Sequence, residues 1–329
     1  MLTTDAFLAH DAGPGHPERP ARLSAVLRGI EECGLGDGAR TVVPRAATLD
    51  ELAAVHAPAY VAALERRCAA GGGALDADTS VVAASWEAAV LAAGAGLDAV
   101  ERLRAGEATS AFCVVRPPGH HATPTRAMGF CLFNNVAVTA MALADAGERV
   151  AIVDWDAHHG NGTQEVFWRD ERVLYVSLHQ QPLYPGTGRL DERGDGDGLG
   201  TTLNVPLPAG ATGDVYLRAM DEVVGPVVAS FAPTWLLVSA GFDAHRADPL
   251  TGLALSSGDF ADLTARVRAL VPASRLVLLL EGGYDLEALR TSAAACTAAL
   301  EGIELRPEAP TRGGGGLDAV RAAAALVSR

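Results

Sequence analysis

An α/β fold built on one parallel sheet is the architecture this chain predicts, and three features predict it. Short runs rich in Val, Leu and Ile recur along the 329 residues, too brief for helices and apolar enough to be covered on both faces. Longer stretches with apolar residues at helical spacing separate them. Gly, Pro or a polar residue closes each run, where a strand must hand over to a turn.

The strand-like runs are Ala111–Val115, Val150–Asp154, Val173–Leu178, Thr201–Val205, Trp235–Ala240 and Arg275–Leu280. Helical spacing predicts helices over Trp86–Arg104, Asn135–Ala146, Asp214–Ser230 and Ser257–Val271. Ser256 with Asp259 three residues on forms a capping box that would start the last of these. Thr311–Gly316 (TRGGGG) reads as a flexible linker before a short helix over Leu317–Ser328. The expected organisation is one domain over residues 1–310 and a loosely attached tail over 311–329.

Hydrophobic residues make up 49% of the chain, enough to build the core of a single large domain. Net charge is −14 and no basic patch stands out, which argues against nucleic acid as a partner. Lysine is absent and all 26 basic residues are arginine, so lysine nucleophiles and Schiff bases are excluded. Such a lysine-free, alanine-rich composition looks bacterial. No apolar window of membrane-spanning length occurs, and the first residues lack the pattern of a signal peptide. Cys33, Cys68, Cys113, Cys131 and Cys296 include no CxxC pair and are odd in number, which disfavours a disulfide framework or a zinc knuckle. A reducing cytoplasm is the expected compartment; the oligomeric state is left open.

Polar residues concentrate where the runs end. Four ends carry RPPGHH (116–121), DWDAHHGNG (154–162), SAGFD (239–243) and EGGYD (281–285), and two HH pairs take four of only nine histidines. In open parallel sheets, ligands bind outside the carboxyl ends of strands. Residues two apart in extended chain face the same way, so Asp156 and His158 can address one metal while His159 points elsewhere. Asp243 ends another run beside the small Gly241 and completes a set of two carboxylates and one imidazole. That set suits Zn²⁺ with an open position, and would also hold Fe²⁺ or Mn²⁺. An isolated Asp-x-His is usually a solvated loop pair; the matching strand ends make it a ligand pair. His120 and His121 suit general acid–base work near neutral pH, with Asp154 and Asn161 available to fix their tautomers. Tyr284, raised on two glycines, could donate to a substrate carbonyl.

These segments, with GFCLFNN (129–135), VSLHQ (176–180), YPGTG (184–188), NVPLPAG (204–210), SAGFDAHRADPLTG (239–252), GHPERPARL (15–23) and LDADT (75–79), resemble the zinc-dependent histone deacetylase family. The family includes bacterial deacetylase-like and acetylpolyamine amidohydrolases. The match runs in order from about residue 10 to about residue 300. The resemblance implies the arginase–deacetylase α/β fold, with a parallel sheet of about eight strands sandwiched by helices.

It also implies Zn²⁺ on Asp156, His158 and Asp243, His121 as general base, His120 as its acidic or electrostatic partner, and Tyr284 polarising the amide. Gly129 and Phe130 would line an acyl-lysine tunnel opposite Tyr184. Asp78 would hold the substrate backbone at the rim, and Arg19 would stand near an inner acetate cavity. K⁺ is implied at an inner site of Asp154, Asp156, His158, Ser177 and Leu178, and at an outer site of Phe167, Asp170 and Val173. Asn161 replaces the Asp of the nuclear class, marks the second class and leaves His121 less basic. Leu250 stands where polyamine-selective relatives carry an acid, and so favours acylated lysine in a protein or peptide. The expected activity is removal of acetyl or other short acyl groups from such amines. Hydrolysis of acetylated polyamines, a non-enzymatic acyl-binding role and a binuclear arginase-like hydrolase are the alternatives.

Overall fold

The structure is a computed structural model and describes residues 1–327. In chain order the helices are α1 (Ala21–Glu32), α2 (Leu49–Ala53), α3 (Pro58–Ala69), α4 (Ser85–Arg104), α5 (Asn135–Asp145), α6 (Asn161–Phe167), α7 (Gly213–Ala219), α8 (Gly225–Phe231), α9 (Ser257–Arg268), α10 (Leu286–Leu300) and α11 (Leu317–Val327). The strands are β1 (Gly72–Ala74), β2 (Ser80–Val82), β3 (Ala111–Cys113), β4 (Val150–Asp154), β5 (Val173–Gln180), β6 (Thr202–Leu207), β7 (Trp235–Ala240) and β8 (Leu276–Leu280). All six predicted strand runs are strands. The predicted capping box opens α9, with Ser256 Oγ taking the Asp259 N–H and the Asp259 carboxylate taking the Ser256 N–H.

Six strands form a parallel sheet in the order β3-β8-β7-β4-β5-β6. Every residue of β4, β5, β7 and β8 is buried. Alternate side chains point to opposite faces, so helices must cover both. α4 and α5 pack together and against strands of the sheet, while α1, α10 and α9 form a second packed row. The eight strands expected reduce to six because the sheet edge beyond β3 continues only as single-residue bridges, Leu2 to Cys113 and Leu2 to Val42. β1 and β2 pair separately as an antiparallel ribbon.

Strand order decides where a site can form. From β4 the chain moves one way through β5 and β6, then returns to β7 on the other side of β4. The crevice between the ends of β4 and β7 is therefore the switch point at which such sheets bind ligands. Asp154 pairs in register with Ser239 of β7 and with Ser177 of β5, so all three strand ends open at one level.

Two expectations change. The helix predicted over Asp214–Ser230 breaks into α7, a π-helical turn over Met220–Val224 and α8. Pro226 has no N–H for the helical ladder, and the wider turn absorbs that loss. The C-terminal tail is not loose: Val320 and Ala323 are in the core, and Thr311 is fastened to Asp259 and to the Gly213 N–H. Ser328, expected in that helix, lies outside the described residues. Among those residues no helix is long and apolar enough to cross a membrane.

The N-terminal segment is bound to the sheet by a buried ion network. Glu18 receives Arg116 Nε and Nη2 at 2.5 and 2.6 Å, and Arg22 Nη1 at 3.1 Å. All three residues are inaccessible to solvent. Burial alone would raise the Glu18 pKa, but Arg116 and Arg22 outweigh it and hold it at about 2. Glu18→Ala would strand two buried guanidinium groups and should lower unfolding free energy by about 3–5 kcal/mol at neutral pH. A depressed carboxyl stabilises the fold above its unfolded pKa, and that share is lost as pH falls from 4.5 toward about 2. Urea unfolding of both proteins should therefore show a gap that closes through that range; a constant gap would contradict the ion-pair origin.

Candidate active site and metal centre

Beyond β4 the chain folds back on its own carboxylates. The Asp156 N–H donates to Asp154 Oδ1 at 3.1 Å, and the His158 N–H donates to Asp156 Oδ1 at 2.9 Å. Asp156 Oδ2 accepts the Gly282 N–H at 2.8 Å, and Asp243 Oδ1 accepts the Ala157 N–H at 2.7 Å. Backbone donors from beyond the ends of β4 and β8 thus fix both carboxylates before any ligand is considered. Close approach depends on glycine. A Cβ on Gly241 would lie 2.0 Å from Asp156 Oδ2, and one on Gly282 would lie 2.3 Å from Asp243 Oδ2.

Asp156, His158 and Asp243 each point one ligand atom into a common space, all within 4.8 Å of one another. His158 Nδ1 lies 2.9 Å from Asp243 Oδ2 and 3.2 Å from Asp156 Oδ1. Burial disfavours the charged imidazole, but Asp243 and Asp156 outweigh it and push His158 up to about 10. Burial, reinforced by Asp156, pushes Asp243 up to about 7. Two buried carboxylates against one imidazole call for positive charge at their meeting point. The donor set therefore fits a divalent metal of the oxygen- and nitrogen-seeking kind.

The histidine pair divides in character. His120 Nδ1 is 3.0 Å from Asp154 Oδ2, and His121 Nδ1 is 2.8 Å from Asn161 Oδ1. Burial would lower both. For His120, Asp156 and Asp154 outweigh burial and raise the pKa well above the ordinary value. For His121, burial joins the neighbouring His120 and His158 to lower it well below. Adjacent groups whose environments drive their pKa values apart can serve as acid and base. His159 turns away to Thr187 and Gln164.

Tyr284 is 8% exposed, and its ring lies 5.7 Å from that of Phe130. Its backbone is held by Asp248, which accepts the Tyr284 N–H at 2.7 Å. Gly129 and Phe130 both take left-handed conformations, and a Cβ on Gly129 would meet His121 at 2.4 Å and Tyr184 at 3.0 Å. Gly129 and Tyr184 therefore close directly on His121. Tyr184 and Leu250 are each 38% exposed at the surface. Half-buried Asp78 accepts Thr79 Oγ1 at 2.8 Å, and Thr79 Oγ1 in turn receives the Phe130 N–H.

Arg19 is misplaced as an inner-cavity residue, because it is exposed. The arginine inside is Arg22, which donates to the carbonyls of Gly283 and Glu281 and lies 4.9 Å above the Tyr284 ring. Arg19 precedes α1, whereas Arg22 falls on the buried face of that helix. Its spacing of four from Glu18 was the available signal. Tyr175, whose hydroxyl donates to Asp154 Oδ2 at 3.0 Å, and Glu281 were also missed. For the expected potassium sites, strand register sets Asp154 beside Ser177, and Leu178 follows in β5. Ser177 Oγ shares a 2.9 Å hydrogen bond with His179 Nδ1. Phe167 ends α6, Asp170 lies in the connection after it and Val173 opens β5, with the Asp170 N–H on the Phe167 carbonyl at 3.1 Å.

A sequence model described as the histone deacetylase domain matches residues 16–300. The chain is 42% identical over 308 residues to a protein described as a probable deacetylase from Archaeoglobus fulgidus, covering 92% of this chain and 86% of that protein. It is 38% identical over 290 residues to the histone deacetylase-like amidohydrolase of Pseudomonas aeruginosa, covering 86% and 76%. Among solved structures it resembles the HDA15 HD domain, with a TM-score of 0.91 and 37% identity over 99% of this chain and 93% of that one.

Gly241→Ala should displace Asp156 and weaken binding of a divalent metal by about 10–100-fold, the range for disturbing groups that orient ligands. Competition against a chromogenic chelator measures this, with circular dichroism to establish the fold. Unchanged affinity in a folded variant would contradict the crowding argument.

Proposed function

The chain belongs to the histone deacetylase family, and we propose that it is a zinc-dependent amidohydrolase that removes acetyl or other short acyl groups from acyl-lysine side chains or similar acyl-amines. One observation carries this reading: a carboxylate-held His120 and an amide-held His121 stand together beside the Asp156, His158 and Asp243 donor set. When bound there, zinc supplies Lewis-acid chemistry, acidifying a water and polarising the amide carbonyl.

The remaining work falls to side chains. His121 donates its Nδ1–H to Asn161, which leaves Nε2 as the basic nitrogen that takes the proton of the attacking water. Tyr284 donates its hydroxyl to the carbonyl oxygen as negative charge develops there. His120, held protonated by Asp154, gives its proton to the departing amine. Gly129, Phe130 and Tyr184 confine the acyl-bearing chain, while Asp78 and Leu250 meet the rest of the substrate at the rim. Arg22, in the place first given to Arg19, borders the inner end through which the carboxylate product leaves.

Asp154 and Ser177, with backbone oxygens of Asp156, His158 and Leu178, would hold a structural potassium ion; Phe167, Asp170 and Val173 would hold a second through their carbonyls. A cation beside Asp154 would weaken its hold on the His120 proton. Five free, buried cysteines support a reducing compartment such as the cytoplasm.

A second reading makes acetylated polyamines the substrate, and the net charge of −14 favours cationic amines. Leu250, apolar at the rim, favours acyl-lysine instead. Turnover of an acetyl-lysine peptide above that of acetylspermidine is expected, and the reverse order would favour the polyamine reading. Tyr284→Phe should lower kcat by roughly 10²–10³-fold, as for loss of one oxyanion donor. Near-normal kcat in that variant would remove Tyr284 from the chemistry.

A further inference from the structure

We propose that Glu281 is a positioning residue for the histidine-bearing loop, an inference that rests on the reading of His120 and His121 as acid and base. One oxygen of its inaccessible carboxylate receives two backbone donors, the Gly119 N–H at 2.6 Å and the His120 N–H at 3.1 Å. Ser239 Oγ donates to the other oxygen at 3.5 Å. The Glu281 carbonyl is itself gripped by Arg22 Nη2.

The need for this anchor follows from the loop's composition. Pro117 and Pro118 carry no N–H, so Gly119 and His120 offer the first backbone donors after Arg116. Both are buried, and buried donors must find an acceptor. The loop has left β3, which pairs with β8, and among the described residues both donors go to the Glu281 carboxylate. Glu281 follows β8 directly and supplies the acceptor. By fixing the His120 backbone it sets the imidazole against Asp154, and through the next residue it sets His121 against Asn161. Glu281 holds the loop through hydrogen bonds to its backbone.

Conservative variants separate anchoring from charge. Glu281→Gln keeps an oxygen for both N–H groups, and its amide can donate to Ser239. Glu281→Asp keeps the charge but is shorter by one bond, about 1.5 Å. With wild-type protein active on an acetyl-lysine peptide, Gln should retain kcat within about threefold. Asp should lower kcat by about 10²-fold with KM within about twofold, as for misplacement of a catalytic group by about 1 Å. Hydrogen exchange at the Gly119 and His120 amides, which needs no substrate, should remain slow in Gln and become fast in Asp.

Wild-type kcat in the Asp variant, an equal loss in both variants, or unchanged amide exchange in Asp would each overturn the positioning role. Inactivity of the wild-type protein on acyl-amines would instead sink the functional reading, and the exchange data would still decide whether Glu281 anchors the loop.

Discussion

Two inaccessible carboxylates and a largely buried imidazole, brought together between the ends of β4 and β7, are the constraint to which the surrounding structure answers. Buried like charges repel strongly and are costly to desolvate. They can be held together only by backbone donors and by positive charge. Each neighbouring element supplies one of these. The Ala157 and Gly282 N–H groups fix the outer oxygens. Gly241 and Gly282 remove the side chains that would otherwise fill the space. The switch in strand order opens the crevice itself.

The same concentration of negative charge shapes the histidines. Asp154 and Asp156 draw a proton toward His120, and a charged His120 discourages one on His121. Asn161 completes the division, since a neutral amide fixes the His121 ring without adding charge. Two adjacent residues of the same type thus differ in their hold on a proton, through the chemistry of what stands behind each ring.

Much of this was legible because a parallel sheet gathers its strand ends. Asp156, His158 and Asp243 could be grouped by their places at the ends of apolar runs, without knowing which strands adjoin. The ring partners of His120 and His121 were legible because Asp154 and Asn161 flank the same metal motif. Pairings between distant segments were not legible. Glu18 reaches Arg116 across 98 residues, and Glu281 reaches Gly119 across 162. No local pattern marks either contact. The choice of Arg19 over Arg22 passed over the spacing of four that joins Arg22 to Glu18; Arg22 lies on the buried face of α1, and Arg19 precedes that helix. The surplus strands were lost at an edge where pairing shrinks to single bridges, and the TRGGGG stretch gained its order from Asp259 and Thr212 on other elements.

We propose that one metal, held by residues just beyond the ends of β4 and β7, makes the histidine pair an amide hydrolase. Stepwise titration of metal-free protein with Zn²⁺, following release of acetate from an acetyl-lysine peptide, tests it most directly. Activity should be absent at the start, rise in proportion to added zinc and level off at one equivalent per chain. Full activity without metal, or a plateau only at two equivalents, would contradict a single-metal centre.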